Sequence, residues 1–93
     1  MALNWPPKDP DEVLDYGINW SELIDEGDEI SASTWVVPTG ITKNSDTFDA
    51  PTSTTTIWLS SGTIGTTYEL TNRIVTAGGR TRDQSVRLKV KEK

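Results

Sequence analysis

The chain contains no cysteine and no histidine in its 93 residues. Without cysteine, neither a disulfide framework nor a thiolate metal cluster can support it. Without histidine it lacks the commonest general base, the commonest zinc ligand and every Ser-His-Asp or Cys-His arrangement. No apolar run approaches the ~20 residues of a membrane-spanning helix. The stretch Met1-Ala2-Leu3-Asn4-Trp5-Pro6-Pro7 does not have the basic-then-apolar form of a signal peptide. These absences argue against hydrolases and metalloenzymes, and the expectation is a soluble chain made without an export tag, with no cofactor and no membrane partner. At this length there is room for one small domain, which buries little more than ~60% of its unfolded surface.

Basic residues are also scarce, nine against fourteen acids for a net charge of -5, which disfavours nucleic acid as a partner. The deficit is uneven. Residues 1–50 carry eleven acids against Lys8 and Lys43, whereas residues 51–93 carry seven basic residues against Glu69, Asp83 and Glu92. The run Arg80, Arg82, Arg87, Lys89, Lys91, Lys93 lacks the interleaved aromatics of a single-strand binder. It is expected to be the solvated face of an edge strand, where cations also discourage unwanted pairing.

What the chain has in abundance is threonine, at fourteen positions, mostly between Thr34 and Thr81. A β-branched polar residue suits a half-exposed pleated surface. Thr67–Thr76 alternates cleanly, with Tyr68, Leu70 and Ile74 on one face and Thr67, Glu69, Thr71 and Arg73 on the other. A Gly78-Gly79 hairpin signal follows, and then Ser85–Lys91, with Val86, Leu88 and Val90 inward. Further strands are expected at Glu29–Val37, ended by Pro38, at Thr54–Ser60 and, more weakly, at Ile41–Phe48. Ile30 and Trp35 have opposite parity, which predicts a bulge between them. One helical turn capped by Ser21 is expected at residues 21–24. Residues 1–20 hold three of the five prolines and are expected to form an extended N-terminal arm, with residues 21–93 as the domain.

Short strands separated by turn signals point to an all-β, immunoglobulin-like sandwich. Gly65-Thr66-Thr67-Tyr68 puts a tyrosine at the start of the penultimate strand, the place of a tyrosine corner, whose hydroxyl ties to backbone a few residues upstream. The expected core is Ile30, Trp35, Phe48, Ile57 or Trp58, Tyr68, Leu70, Ile74, Val86, Leu88 and Val90, with Trp35 and Trp58 competing for the central place.

Candidate sites are few. Asp25-Glu26-Gly27-Asp28-Glu29 has carboxylates beside a glycine turn but not the EF-hand spacing, and a solvated acidic loop is the simpler reading. Nothing fixes the separation of Asp46 and Asp49, so an acid–base pair is not supported. Gly62–Gly65 and Gly78–Arg80 neither open a helix nor carry the Lys-Ser/Thr of a phosphate loop. Asn19-Trp20-Ser21 matches a glycosylation sequon by chance composition. The four tryptophans exceed what so small a core needs. Trp5 and Trp20, with Tyr16, are therefore candidate partner-binding residues. The competing reading folds Trp20 back to cap the sandwich.

Asp15–Ser21, Gly27–Ile30 with Ser33-Thr34-Trp35, Trp58–Tyr68 and Asn72–Thr81 together resemble the small immunoglobulin-like fiber-tail adaptor proteins of tailed bacteriophages, over about residues 8–91. The resemblance implies a non-catalytic virion component in several copies around the tail axis, linking tail or neck proteins to tail fibers and made in the host cytoplasm. The alternatives are a ligand-binding sandwich for carbohydrate or adhesion, and a capsid decoration protein. On the adaptor reading the arm is expected to be mobile in the monomer and to order against a neighbour, with acidic and basic halves meeting head to tail.

Overall fold

Strand formation follows the period-2 patterning almost throughout. The computed structural model describes residues 3–21, 23, 24 and 27–92. Its strands are β1 (Leu3–Asn4), β2 (Leu14–Asn19), β3 (Ile30–Val36), β4 (Ile41–Asp49), β5 (Thr54–Ser61), β6 (Thr67–Thr76) and β7 (Thr81–Lys89). They form two sheets, ordered β1-β7-β6-β3 and β2-β5-β4. All pairings are antiparallel except β1 with β7. The architecture is the expected all-β immunoglobulin-like sandwich. The bulge predicted in β3 lies between Ile30 and Ala32, and Gly79 takes the positive φ of 89° that closes the β6–β7 turn.

The two inner faces supply the core. Ile57, Leu59, Leu70, Ile74, Val86, Leu88 and Val90 are fully buried, and Ile18, Ile30, Trp35, Ile41 and Tyr68 nearly so. Each such side chain stabilises the fold by about 1.5–3 kcal/mol relative to exposure. Two expected core residues lie outside. Phe48 is 41% exposed because it sits on β4, the outer edge of its sheet, opposite Thr55. Trp58 is 40% exposed because Ile57 and Leu59, its neighbours of opposite parity, take the inner face of β5. Trp35, not Trp58, is the inter-sheet tryptophan of the two.

Of the extended arm expected over residues 1–20, the described part from residue 3 onward pairs with the sandwich at three places. Residues 3–4 pair with Val86 and Arg87 of β7, and Lys8 bridges Val90. Beyond Pro6 and Pro7 the chain crosses between sheets, and residues 14–19 pair along β5 from Leu59 to Thr54. The prolines interrupt the ladder without preventing the pairing on either side. Strand β7 is accordingly not an edge where β1 covers it. The expected helical turn falls partly outside the described residues, but the Leu23 and Ile24 amides both donate to the Trp20 carbonyl, so one tight turn follows β2.

Two polar devices fix the packing. At the tyrosine corner the Thr63 amide donates to the Tyr68 hydroxyl at 2.9 Å, and that hydroxyl reaches the Gly40 carbonyl at 3.5 Å. Gly40 is needed here: its φ is 107°, and a Cβ would stand 3.0 Å from the hydroxyl. Further along β6, Asn72, fully buried, takes hydrogen bonds on its carbonyl oxygen from the Trp20 indole (2.9 Å) and the Thr55 hydroxyl (2.7 Å). Its amide donates to the Ser33 hydroxyl and the Thr34 carbonyl. Tyr68→Phe is expected to lower the unfolding free energy by about 0.5–1.5 kcal/mol, the net worth of one hydrogen bond. Asn72→Ala leaves several buried groups without partners and should cost more, about 2–4 kcal/mol. Urea midpoints of the two variants measure the order, and equal midpoints contradict it.

Candidate docking surfaces

The three aromatic residues proposed from the sequence as partner anchors occupy very different places. Trp20 is 1% exposed and Tyr16 8%. Both lie inside because Leu14, Tyr16, Ile18 and Trp20 continue one inward parity along β2 and past its end. As the structure stands, neither presents a surface to a partner, and Trp20 has the capping position. Trp5 is half-buried and packs against the core. Its ring stacks on Tyr16, with centroids 4.7 Å apart and planes 16° from parallel, and meets Trp35 at 5.8 Å and 45°. Such pairs add about 0.5–1.5 kcal/mol each beyond area burial. Trp5 is thus an anchor for its own segment, closing the space between β2 and β3.

Lys8, next along that segment, is fully buried. Burying an ammonium is costly unless it is hydrogen-bonded. Its Nζ donates to the Asp9 and Ser61 carbonyls, each at 2.8 Å, and Ser61 holds a left-handed φ of 68° there. Sequence reasoning missed this residue, since a single lysine beside prolines carries no burial signal.

Most charges on the outer face of the larger sheet are paired across strands. Arg73 grips Asp83 with two hydrogen bonds of 2.8 and 3.0 Å, and Arg87 lies 3.6 Å from Glu69. Both are register partners. Of the basic run, Arg87 thus belongs to a cross-strand ion pair beside that of Arg73 with Asp83, each exposed pair contributing about 0–1 kcal/mol. Asp28, of the acidic stretch, also binds its own chain. Asp28 accepts from the Gly78 amide at 2.9 Å and lies 3.4 Å from Arg80. A hydrogen bond from the Thr76 side chain, with those from the Gly78 and Glu29 amides and the charge of Arg80, holds its carboxyl below the usual range. Asp25 and Glu26 lie outside the described residues. Among those described, no group of acids is arranged to hold a metal. Asp46 pairs with Lys43 at 2.9 Å and Asp49 accepts from Thr52 at 3.0 Å, so each carboxylate has its own partner. Asn19 accepts the Ser21 amide in a local turn. Asp9, Pro10, Asp11, Ile64 and Glu92 line an open groove of about 550 Å³ at one end of the sandwich.

The outer face of the smaller sheet is different. Register puts Trp58 between Asp15 of β2 and Ser45 of β4, and Thr56 between Gly17 and Thr47. Threonine, serine and asparagine surround one exposed indole, and Gly17 leaves the ground beside Thr56 bare. Among the described residues, Asp15 and Asp49 are the charges whose register positions fall on this face. It is a flat, neutral-to-acidic platform with one large apolar side chain standing on it.

Tyr16 gives a pH signature. Burial, and then the negative charges of Glu12 and Asp15, push its hydroxyl up to about 12. The folded state therefore keeps a proton that the unfolded chain releases near pH 10. This contribution is complete below pH 10 and is lost as pH rises through about 12. Stability measured from pH 9 to 12 should fall more steeply for the native chain than for Tyr16→Phe, and parallel profiles would contradict the burial of the hydroxyl.

In fold, the chain is similar to a PKD domain from the KIAA 1837 protein, solved in solution. The TM-score is 0.55 at 21% identity, over 99% of this chain and 79% of that one. No curated protein matches in sequence. The family model described as podophage GP4 fiber-tail adaptor protein gp77 matches residues 8–89, from the buried Lys8 to the last residue of β7. The chain belongs to that fiber-tail adaptor family.

Proposed function

We propose that the chain is a non-catalytic structural protein of a phage virion, made in the host cytoplasm and present in several copies that link the tail or neck to tail fibers. Family membership over residues 8–89 is the observation that carries this reading. It favours an adaptor over a carbohydrate-binding or adhesion module and over a capsid decoration protein. On the same reading, the platform around Trp58 is the face that meets a neighbouring virion protein. Interfaces centre on a few aromatic anchors ringed by polar residues, and Trp58, 40% exposed among Thr56, Ser60, Ser45 and Thr47, has that form. Trp58 stands on the central strand β5 and is partly covered, so its loss should lower stability by about 1 kcal/mol. Trp58→Ala should therefore still unfold cooperatively at a modestly lower temperature, while its incorporation into particles below that temperature, in competition with the native protein, falls roughly tenfold. Equal incorporation would place the contact on another face.

A further inference from the structure

We infer that residues 3–8 can leave their own sandwich and occupy the same slot on a second copy of the chain, so that copies join by exchanging this segment.

The slot is assembled from elements other than the segment. Its floor is the β7 edge, where the Leu3 and Asn4 positions pair with Val86 and Arg87, the Trp5 amide donates to the Arg87 carbonyl at 3.0 Å and the Lys8 amide to the Lys89 carbonyl at 3.0 Å. Its aromatic socket is Tyr16 on β2 and Trp35 on β3. Its far end is the Ser61 carbonyl that receives the Lys8 ammonium. All of these remain when the segment departs, and they fit one known occupant, this sequence itself. A second copy therefore supplies every contact that the first one gives up, as in any exchange of identical elements.

Three features make the segment separable. It is held in two short patches, because Pro6 and Pro7 have no amide hydrogen and break the ladder between Trp5 and Lys8. The same prolines keep the detached segment extended, which reduces the freedom lost on docking again. A turn joins it to β2: the Glu12 amide donates to the Asp9 carbonyl, the Asp11 amide to the Asp9 carboxylate, and Val13 is exposed. That turn can extend without disturbing either sheet. Finally, the closed form contains an unmet group. The Trp35 indole nitrogen is buried without a hydrogen-bond partner, and Trp5 packs its ring against that of Trp35. A buried donor without a partner penalises the occupied slot, closed or exchanged alike, and so reduces the difference between an occupied slot and an open one.

Exchange is a property of the isolated chain, independent of its role in a virion. The absence of native cysteine makes it directly testable. Asn4 and Arg87 are register partners on adjacent strands, about 4.8 Å apart, within the range a disulfide spans. An Asn4→Cys chain and a size-tagged Arg87→Cys chain are mixed at high concentration, incubated, and oxidised. The expected result is a covalent heterodimer that grows with concentration and incubation time. It should exceed that formed with a Val36→Cys partner, whose position is exposed on the far strand β3. The Asn4→Cys/Arg87→Cys double variant in dilute solution should close within one chain, which verifies the register. If the double variant closes but the mixed chains give no more heterodimer than the Val36→Cys control, the segment stays on its own sandwich and the inference fails.

Discussion

The rest of the structure depends on the bonding capacity of one amide. Asn72 has two acceptor lone pairs and two donor hydrogens, and all four are used: Trp20 and Thr55 on the oxygen, Ser33 and Thr34 on the nitrogen. Thr55 belongs to the smaller sheet and Trp20 follows its first strand, while Ser33 and Thr34 belong to the larger. Apolar contacts hold the two inner faces together but are non-directional, and they would tolerate sliding of one sheet over the other. A saturated amide between the layers does not tolerate it, since any shift leaves a buried donor or acceptor unmet. Asn72 thus selects one packing from those the hydrophobic residues allow.

Trp35 is the register partner of Asn72 on β3. Both lone pairs of the Asn72 oxygen are occupied, and the indole nitrogen of Trp35 has no hydrogen-bond partner. The ring is covered by Trp5, which also stacks on Tyr16. Geometry at the centre of the sandwich and the docking of residues 3–8 at its side are therefore linked. Trp5, in the segment that ends in buried Lys8, packs on the tryptophan beside that network.

The sequence displays some of this openly. The hairpin of β6 and β7, the bulge in β3 and the tyrosine corner at Tyr68 follow from alternation and turn residues, which act locally. Asn72 also stood on the inward parity between Leu70 and Ile74, but a polar residue at one inward position does not disclose its partners fifty-two and seventeen residues away. Residues 14–20 alternate as well as any strand, with Leu14, Tyr16, Ile18 and Trp20 in step. The prolines upstream suggest an arm that the structure replaces with a paired strand on each side. Phe48 and Trp58 show a different limit. Parity assigns a face, and the position of a strand within its sheet decides whether that face is covered. Edge placement exposes Phe48, and the greater apolar content of Ile57 with Leu59 turns Trp58 outward. The Trp58 platform could be seen only once β2 and β4 were known to flank β5.

Charge makes the final distinction between the two outer faces. The linear segregation of acids and bases invites contacts from one copy's acidic half to another's basic half. In the folded chain many of these groups already meet. Asp28 binds the turn that carries Gly78 and Arg80, Asp83 binds Arg73, and Glu69 lies beside Arg87. A partner competing for them would have to replace existing hydrogen bonds at exposed sites where each pair is worth little. Among the described residues, the internal bonds on the Trp58 face are neutral or single, Ser60 with Asn44, Thr52 with Asp49 and Thr54 with the Thr52 carbonyl, and none is a cross-strand ion pair. Covering its indole removes apolar surface from water, and the neighbouring hydroxyls lie in flat rows suited to a polar rim. On the proposed function, the smaller sheet, whose outer face carries the exposed indole, is therefore the face assigned to contact with other proteins.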